Sequence, residues 1–214
     1  MDSILHIVPT QPKYSMDDFL DAAAGVLAAG GPDALTLSAV LRATGAPSGS
    51  LYYRFPDRPA LLGALWRRTV ADYHDATRTG FDGPAESAVC AAVQVARDTV
   101  RWCRNNPDAA AVLLAGRRAL GAEQWPAELR ISVDSENVVR DKQTRQLVKS
   151  VRAETGMDLD AVLLAVIDLP YAAVRRYIAA RRDLPLTLEN TVAKTMETIL
   201  SVDDRQTDRG GLPG

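Results

Sequence analysis

Between Ser48 and Arg58 the chain gathers hydrogen-bond donors within a single short stretch, SGSLYYRFPDR. Ser48, Ser50, Tyr52, Tyr53, Arg54 and Arg58 all carry hydroxyl, phenol or guanidinium groups, which can donate to anionic oxygen. At about 100° per residue, Leu51 and Phe55 fall on one helical face and Tyr52 at its edge. Gly49, Ser50, Tyr53 and Arg54 point away from that face. An anchored helix with donors on its outer side can meet a phosphate-bearing surface.

Catalytic chemistry has little else to work with. The two histidines, His6 and His74, have no partner at metal-ligand spacing. Cys90 and Cys103 stand on different faces of one expected helix, too far apart to bridge. No strand precedes a glycine-rich phosphate loop, and the arginine pair of GRRAL (116–120) reads as a solvated face. The expectation is no metal, no cofactor and no enzymatic activity.

The elements that must position the donors are helical. Met16, Phe19, Leu20, Ala23 and Leu27 step by three and four behind a capping Ser15. Thr36 caps a second helix carrying Leu37, Val40 and Leu41, closed by Gly45, and Pro47 opens a third. Two short helices joined by a tight glycine turn make a helix-turn-helix, whose second helix fits the major groove of DNA. Asp57 then caps a helix running to about Thr79. Five more are expected over 85–105, 107–116, 126–155, 158–182 and 187–202. The fold class is therefore all-α, with about nine helices. The expected organisation is a flexible N-terminus (1–14), a three-helix DNA-binding domain (15–57), a larger ligand-binding and dimerisation domain (58–202) and a flexible tail (203–214).

Charge argues less clearly. Net charge is −2 over 214 residues, 47% of them hydrophobic and 24% charged. Residues 1–68 balance Lys13, Arg42, Arg54, Arg58, Arg67 and Arg68 against Asp2, Asp17, Asp18, Asp21, Asp33 and Asp57. Neutralising phosphates supplies much of DNA affinity, so a neutral domain is a thin electrostatic footprint. Asp2 stands where a signal peptide carries positive charge, and the apolar run 161–167 ends at Asp168 and Pro170, short of the roughly 20 residues a membrane span needs. A cytoplasmic protein is expected.

Residues 35–65, LTLSAVLRATGAPSGSLYYRFPDRPALLGAL, resemble the DNA-binding region of the TetR/AcrR transcriptional regulators. The resemblance is carried by Thr36, Gly45, Gly49, Ser50, Leu51-Tyr52, Tyr53-Arg54, Phe55, Pro56-Asp57 and Arg58. It implies that Ser50, Tyr52, Tyr53 and Arg58 contact phosphates and that Thr36 presents its hydroxyl and a helix N-terminus to one. Base reading falls to Ser48, Gly49 and Tyr53, with Ser38 or Arg42 as outliers. Two places depart from the family pattern: Ser48 stands where a basic residue is common, and the arm before the first helix keeps only Lys13. Both predict weaker non-specific binding and a shallower salt dependence.

In the C-terminal half, Val162, Leu163, Leu164, Val166, Ile167 and Leu169 make one helix apolar nearly all round, and Leu188, Val192, Met196, Ile199 and Leu200 stripe the last one. A four-helix bundle between two copies would cover both surfaces, and the resemblance implies the same homodimer. The candidate interface is Leu163, Ile167, Val192, Met196 and Ile199. The resemblance also implies a small-molecule pocket among the later helices, for which Trp102, Trp125 and Tyr171 are candidates. Asp168 joins them, since Pro170 should break the local hydrogen bonding. The expected function is a ligand-responsive regulator: a repressor binding a pseudo-palindromic double-stranded operator as a homodimer and released by an effector. The alternatives are a helical small-molecule-binding protein or enzyme whose helix-turn-helix is only structural, or an adaptor using the Tyr53/Arg54 face.

Overall fold

Ser15 opens the first helix by a reciprocal cap: its Oγ accepts from the Asp18 amide at 3.1 Å, and its own amide donates to the Asp18 carboxylate at 2.7 Å. The computed structural model describes residues 13–201, so His6 and the expected tail lie outside the described residues. Helix α1 spans Met16–Gly30, α2 Leu37–Thr44, α3 Ser48–Arg54 and α4 Arg58–Ala76. A short α5, Arg78–Asp82, is followed by α6 (Ala88–Asn105), α7 (Pro107–Ala119) and the long α8 (Ala127–Thr155). Next, α9 (Leu159–Leu163) runs through a π-helical turn at Leu164–Asp168 into α10 (Leu169–Ile178), and α11 is Leu188–Ser201. Among the described residues there is no strand, and no helix is long and apolar enough to cross a membrane.

Gly45 takes φ 66° at the end of α2, a left-handed conformation that costs glycine little. Thr36 caps α2, its Oγ1 accepting from the Ala39 amide at 3.1 Å, and Asp57 caps α4 in the same way from Ala60 at 2.8 Å. The helix expected from Arg58 to Thr79 breaks at Thr77. Its buried hydroxyl donates to the Tyr73 carbonyl at 2.9 Å, while its backbone leaves helical geometry at ψ 0°. The short α5 that follows crosses α6 at Gly80, where a Cβ would fall 2.6 Å from the Val95 side chain and 2.8 Å from its amide nitrogen. Gly80 is thus needed for close approach.

Two cores organise the chain. Phe19, Leu27, Val40, Leu51, Phe55 and Leu61 centre the first, which continues through α4 to Val112, Leu120, Trp125 and Val133. The helix-turn-helix and the later helices therefore share α4 and α7 as common walls. The second core lies among α6, α8, α9, α10 and α11. There α11 lies along α6, and charged groups tie the two together. Glu189 pairs with Arg101 and, at 3.4 Å, with Arg104, while Arg97 donates to Asn190 at 2.7 Å. Asp98, 7% exposed, accepts from Arg101 at 2.8 Å and Gln94 at 2.9 Å.

Helix α11 departs from the expected interface. Val192 and Met196 are 2% and 0% exposed within a single chain, because the apolar stripe of α11 is used against its own core. Neither can meet a second copy. Leu163 and Ile199 are half-buried and Ile167 is 40% exposed.

Candidate nucleic-acid interface and effector cavity

The third helix is anchored from below and open above. Leu51 is wholly buried and Phe55 nearly so, while Tyr52 is 47% and Tyr53 88% exposed. Ser48 and Gly49 are exposed, Ser50 is half-buried, and a Cβ on Gly49 would meet nothing within 4 Å. The outer face of α3 thus presents one phenol, one half-exposed phenol, two hydroxyls and uncovered backbone. Thr36 is exposed at the start of α2. Its oxygen accepts from Ala39, which leaves its proton free to donate.

The arginines behave differently from expectation. Arg58 is turned inward: Nε donates to the Leu35 carbonyl and Nη2 to the Pro32 carbonyl, each at 2.7 Å. These bonds close the loop before α2 onto the start of α4. They hold the helix-turn-helix in shape and commit two of the five guanidinium N–H donors to the protein itself. Arg54 is also committed, donating to Ser50 at 2.8 Å and to the Tyr14 carbonyl at 2.7 Å, with its guanidinium 5.6 Å from the Phe19 ring centre. Tyr14 in turn stacks on Phe19. Arg68 pairs with Asp21 at 2.8 Å and Asp17 at 3.5 Å. Three of the six basic side chains read from residues 1–68 therefore have partners within the chain, and one of them, Arg68, is paired with carboxylates.

This arrangement, a Thr-capped α2, a glycine turn and an α3 with Tyr52 and Tyr53 outward, lies inside a stretch that matches a family model. Residues 19–65 match the model of bacterial regulatory proteins of the tetR family. The N-terminal helices are a tetR-family domain. The remainder of the chain has the TetR-like fold as well. The ketosteroid transcriptional regulator of Mycobacterium tuberculosis superposes with a TM-score of 0.69 at 18% identity, over 89% of this chain and 95% of that one. A TetR family transcriptional regulator from Thermus thermophilus gives 0.65 at 18%, over 95% and 100%. The fatty acid degradation regulator of Bacillus halodurans gives 0.61 at 16%, over 93% and 100%. No curated protein matches the sequence. Identities this low speak for the fold alone.

Behind the tetR-family domain, a cavity of about 320 Å³ opens among α4, α6, α7, α8 and α10. Its walls are mostly apolar, including Val95, Leu113, Leu147 and Val174, with Tyr73, Thr99, Arg140 and Thr144 as polar members. The π-helical turn and Pro170 form one side, and Ile167 and Tyr171 line it while partly exposed. A proline removes an amide from the helical ladder, and a widened π turn is a common local solution. Of the four candidate ligand residues, Tyr171 alone lines this cavity. Trp102 is buried behind Tyr73, ring centres 5.3 Å apart. Trp125 belongs to the other core: it donates to the Leu120 carbonyl at 2.9 Å and lies 6.3 Å from Trp66. Asp168 is exposed on the outer side of the π turn, away from the cavity lining.

Sequence reasoning missed Tyr73, Arg140 and Thr144. A signal existed for Arg140, which lies seven residues after Val133 and seven before Leu147. Both of those are buried, so the arginine interrupts the inward stripe of α8. Nearby, burial and the Arg140 charge lower His74 to about 4 from its ordinary 6.5, and burial pushes the Cys103 thiol, on the cavity wall, up to about 12. Among the described residues no cluster of His, Cys, Asp or Glu could hold a metal ion.

Proposed function

We propose that this chain is a ligand-responsive DNA-binding regulator, a repressor working in the cytoplasm. The observation that carries the reading is Tyr53, 88% exposed on a helix whose Leu51 is wholly buried. A large aromatic held rigidly in water needs a partner surface, and here it stands beside Ser48, Gly49 and Ser50 at a helix N-terminus. Ser50, Tyr52, Tyr53 and the Thr36 hydroxyl serve phosphates, and Ser48, Gly49 and Tyr53 face base edges. Arg58 supports this face from behind. Residues 15–57 act as the reading head and 58–202 as the sensing and pairing body.

The acting form is a homodimer on a pseudo-palindromic operator with half-sites about one helical turn apart. Its seam uses Leu164, 54% exposed, and Ile167 from the helix through the π turn. Beside them lies the outer ridge of α11, where Thr191, Thr195 and Thr198 each donate to the carbonyl four residues back at 3.0, 2.8 and 2.8 Å. With their hydroxyls so occupied, these threonines offer a flat surface for close helix packing. Leu163 and Ile199 contribute at its edge. Ligand in the cavity acts by favouring one of two arrangements of the paired reading heads, through the α4 and α7 walls that both cores share.

Selection from random duplexes at low salt tests this. The expected product is an inverted repeat retained by the full chain. A failure to enrich any sequence would favour the small-molecule-binding alternative, with the helix-turn-helix as a structural element.

A further inference from the structure

At the cavity, Arg140 is a cation without a close ion pair, although the Asp82 carboxylate is near enough to act on its charge. Arg140 Nη2 donates to the His74 carbonyl at 2.8 Å, and its guanidinium lies 4.3 Å from the Phe81 ring centre. Its Nη1 is buried and has no hydrogen-bond partner among the described residues. Among the described residues Arg140 forms no ion pair. The nearest acid of α5, Asp82, instead accepts from Gln143 at 2.9 Å. A buried guanidinium nitrogen without a partner is costly, and an anion placed against it recovers that cost.

The other polar groups around it are defined by their protons. Thr99 Oγ1 donates to the Val95 carbonyl at 2.8 Å, so in its 3.0 Å bond with Tyr73 the phenol is the donor. Tyr73 has therefore no proton left for a ligand. Thr144, one turn from Arg140 on the same face of α8, makes no side-chain hydrogen bond among the described residues, unlike Thr99, Thr191 and Thr195, which bond four residues back. Arg140 and Thr144 both line this space, and Arg140 Nη1 and the Thr144 hydroxyl are its donors without a hydrogen-bond partner among the described residues. Two donors at adjacent turns suit the two oxygens of a carboxylate. The remaining lining is apolar, and a cavity of about 320 Å³ is near the lower end of the roughly 300–1,000 Å³ range of ligand sites. Such a space suits one compact apolar body.

We propose that the cavity binds a small carboxylate carried on an apolar body, its head group held by Arg140 and Thr144 and its body against Leu113, Leu147 and Val174. This rests on the reading of the cavity as the effector site and names what that effector is.

The test uses the full chain and calorimetry with octanoate, phenylbutyrate, octanol and octylamine. At least one carboxylate should bind about tenfold or more tightly than octanol or octylamine. Arg140→Gln and Thr144→Val should each weaken carboxylate binding while octanol binding stays unchanged, with circular dichroism melts confirming that both variants fold. Octanol binding as tightly as octanoate, neither carboxylate binding, or a carboxylate preference that survives in Arg140→Gln would each overturn the proposal. The selected duplex separates the two readings. Arg140-dependent carboxylate binding that leaves the duplex bound upholds the site and removes its role in releasing DNA. Release by octanol as effective as by octanoate upholds the regulator and removes the carboxylate.

Discussion

Arg58 and Leu35, 23 residues apart, are joined by a 2.7 Å bond from the arginine Nε to the leucine carbonyl. With the parallel bond to Pro32 it locks the start of α4 against the entrance to α2, and so fixes the frame that carries α3. Arg58→Ala should lower stability by about 2 kcal/mol or more, since two bonds from a charged donor are lost. The thermal midpoint checks this. An unchanged midpoint with weakened DNA binding would return Arg58 to the phosphate contacts that the family resemblance implies.

Tyr53→Phe is the converse case. The phenol touches no hydrogen-bond partner among the described residues and stands 88% exposed, so the melt should not move. DNA affinity should fall several-fold, in line with a lost hydrogen bond of about 1 kcal/mol. Paired melting and anisotropy measurements read both effects, and a lowered midpoint would show that Tyr53 packs.

Much of the reading head was legible because its signals are local. Thr36, Gly45, Leu51 and Phe55 act within a turn or two of themselves, and periodicity finds them. The arginines were not legible, because the acceptors of Arg54 and Arg58 include groups 40 and 23 residues away. Val192 and Met196 show a different limit. An apolar stripe says that a face is covered, and only the packing of α11 on α6 says by what. Trp125 fell to the same ambiguity, as a large aromatic fits a core and a pocket equally.

His74 gives a pH signature. Its folded value, about 4, lies below the ordinary 6.5. Between those limits the unfolded chain binds a proton that the folded chain refuses, so this group's contribution is full above pH 6.5 and lost as pH falls toward 4. Denaturant midpoints at pH 7 and pH 5 should differ more for the native chain than for His74→Gln. Equal differences would show that His74 is freely protonated when folded.

The proposed dimer seam is tested by Leu164→Asp. A charge on this exposed position should leave the monomer fold intact and shift the chain from dimer to monomer in sedimentation. A variant that stays dimeric would move the seam elsewhere.

The two thiols should separate cleanly under maleimide. Cys90 is exposed, while Cys103 is buried with its thiol held up to about 12. One label per native chain is expected, at Cys90, and two only after unfolding. Rapid labelling of Cys103 in the native chain would show that the cavity opens freely.

The proposed reading face recognises DNA mainly through hydroxyls, with few free cations. Anisotropy titrations of the selected duplex and a scrambled one across a salt series test it most directly. With Lys13, Arg42 and Arg67 as the basic side chains of the first 68 residues left without a hydrogen bond or ion pair among the described residues, in each of two copies, log affinity against log salt should slope at about −5 or less steeply. The selected duplex should be held far more tightly than the scrambled one throughout. A slope near −8 with both duplexes bound alike would mean that charge alone, and not the hydroxyl face of α3, makes the contact.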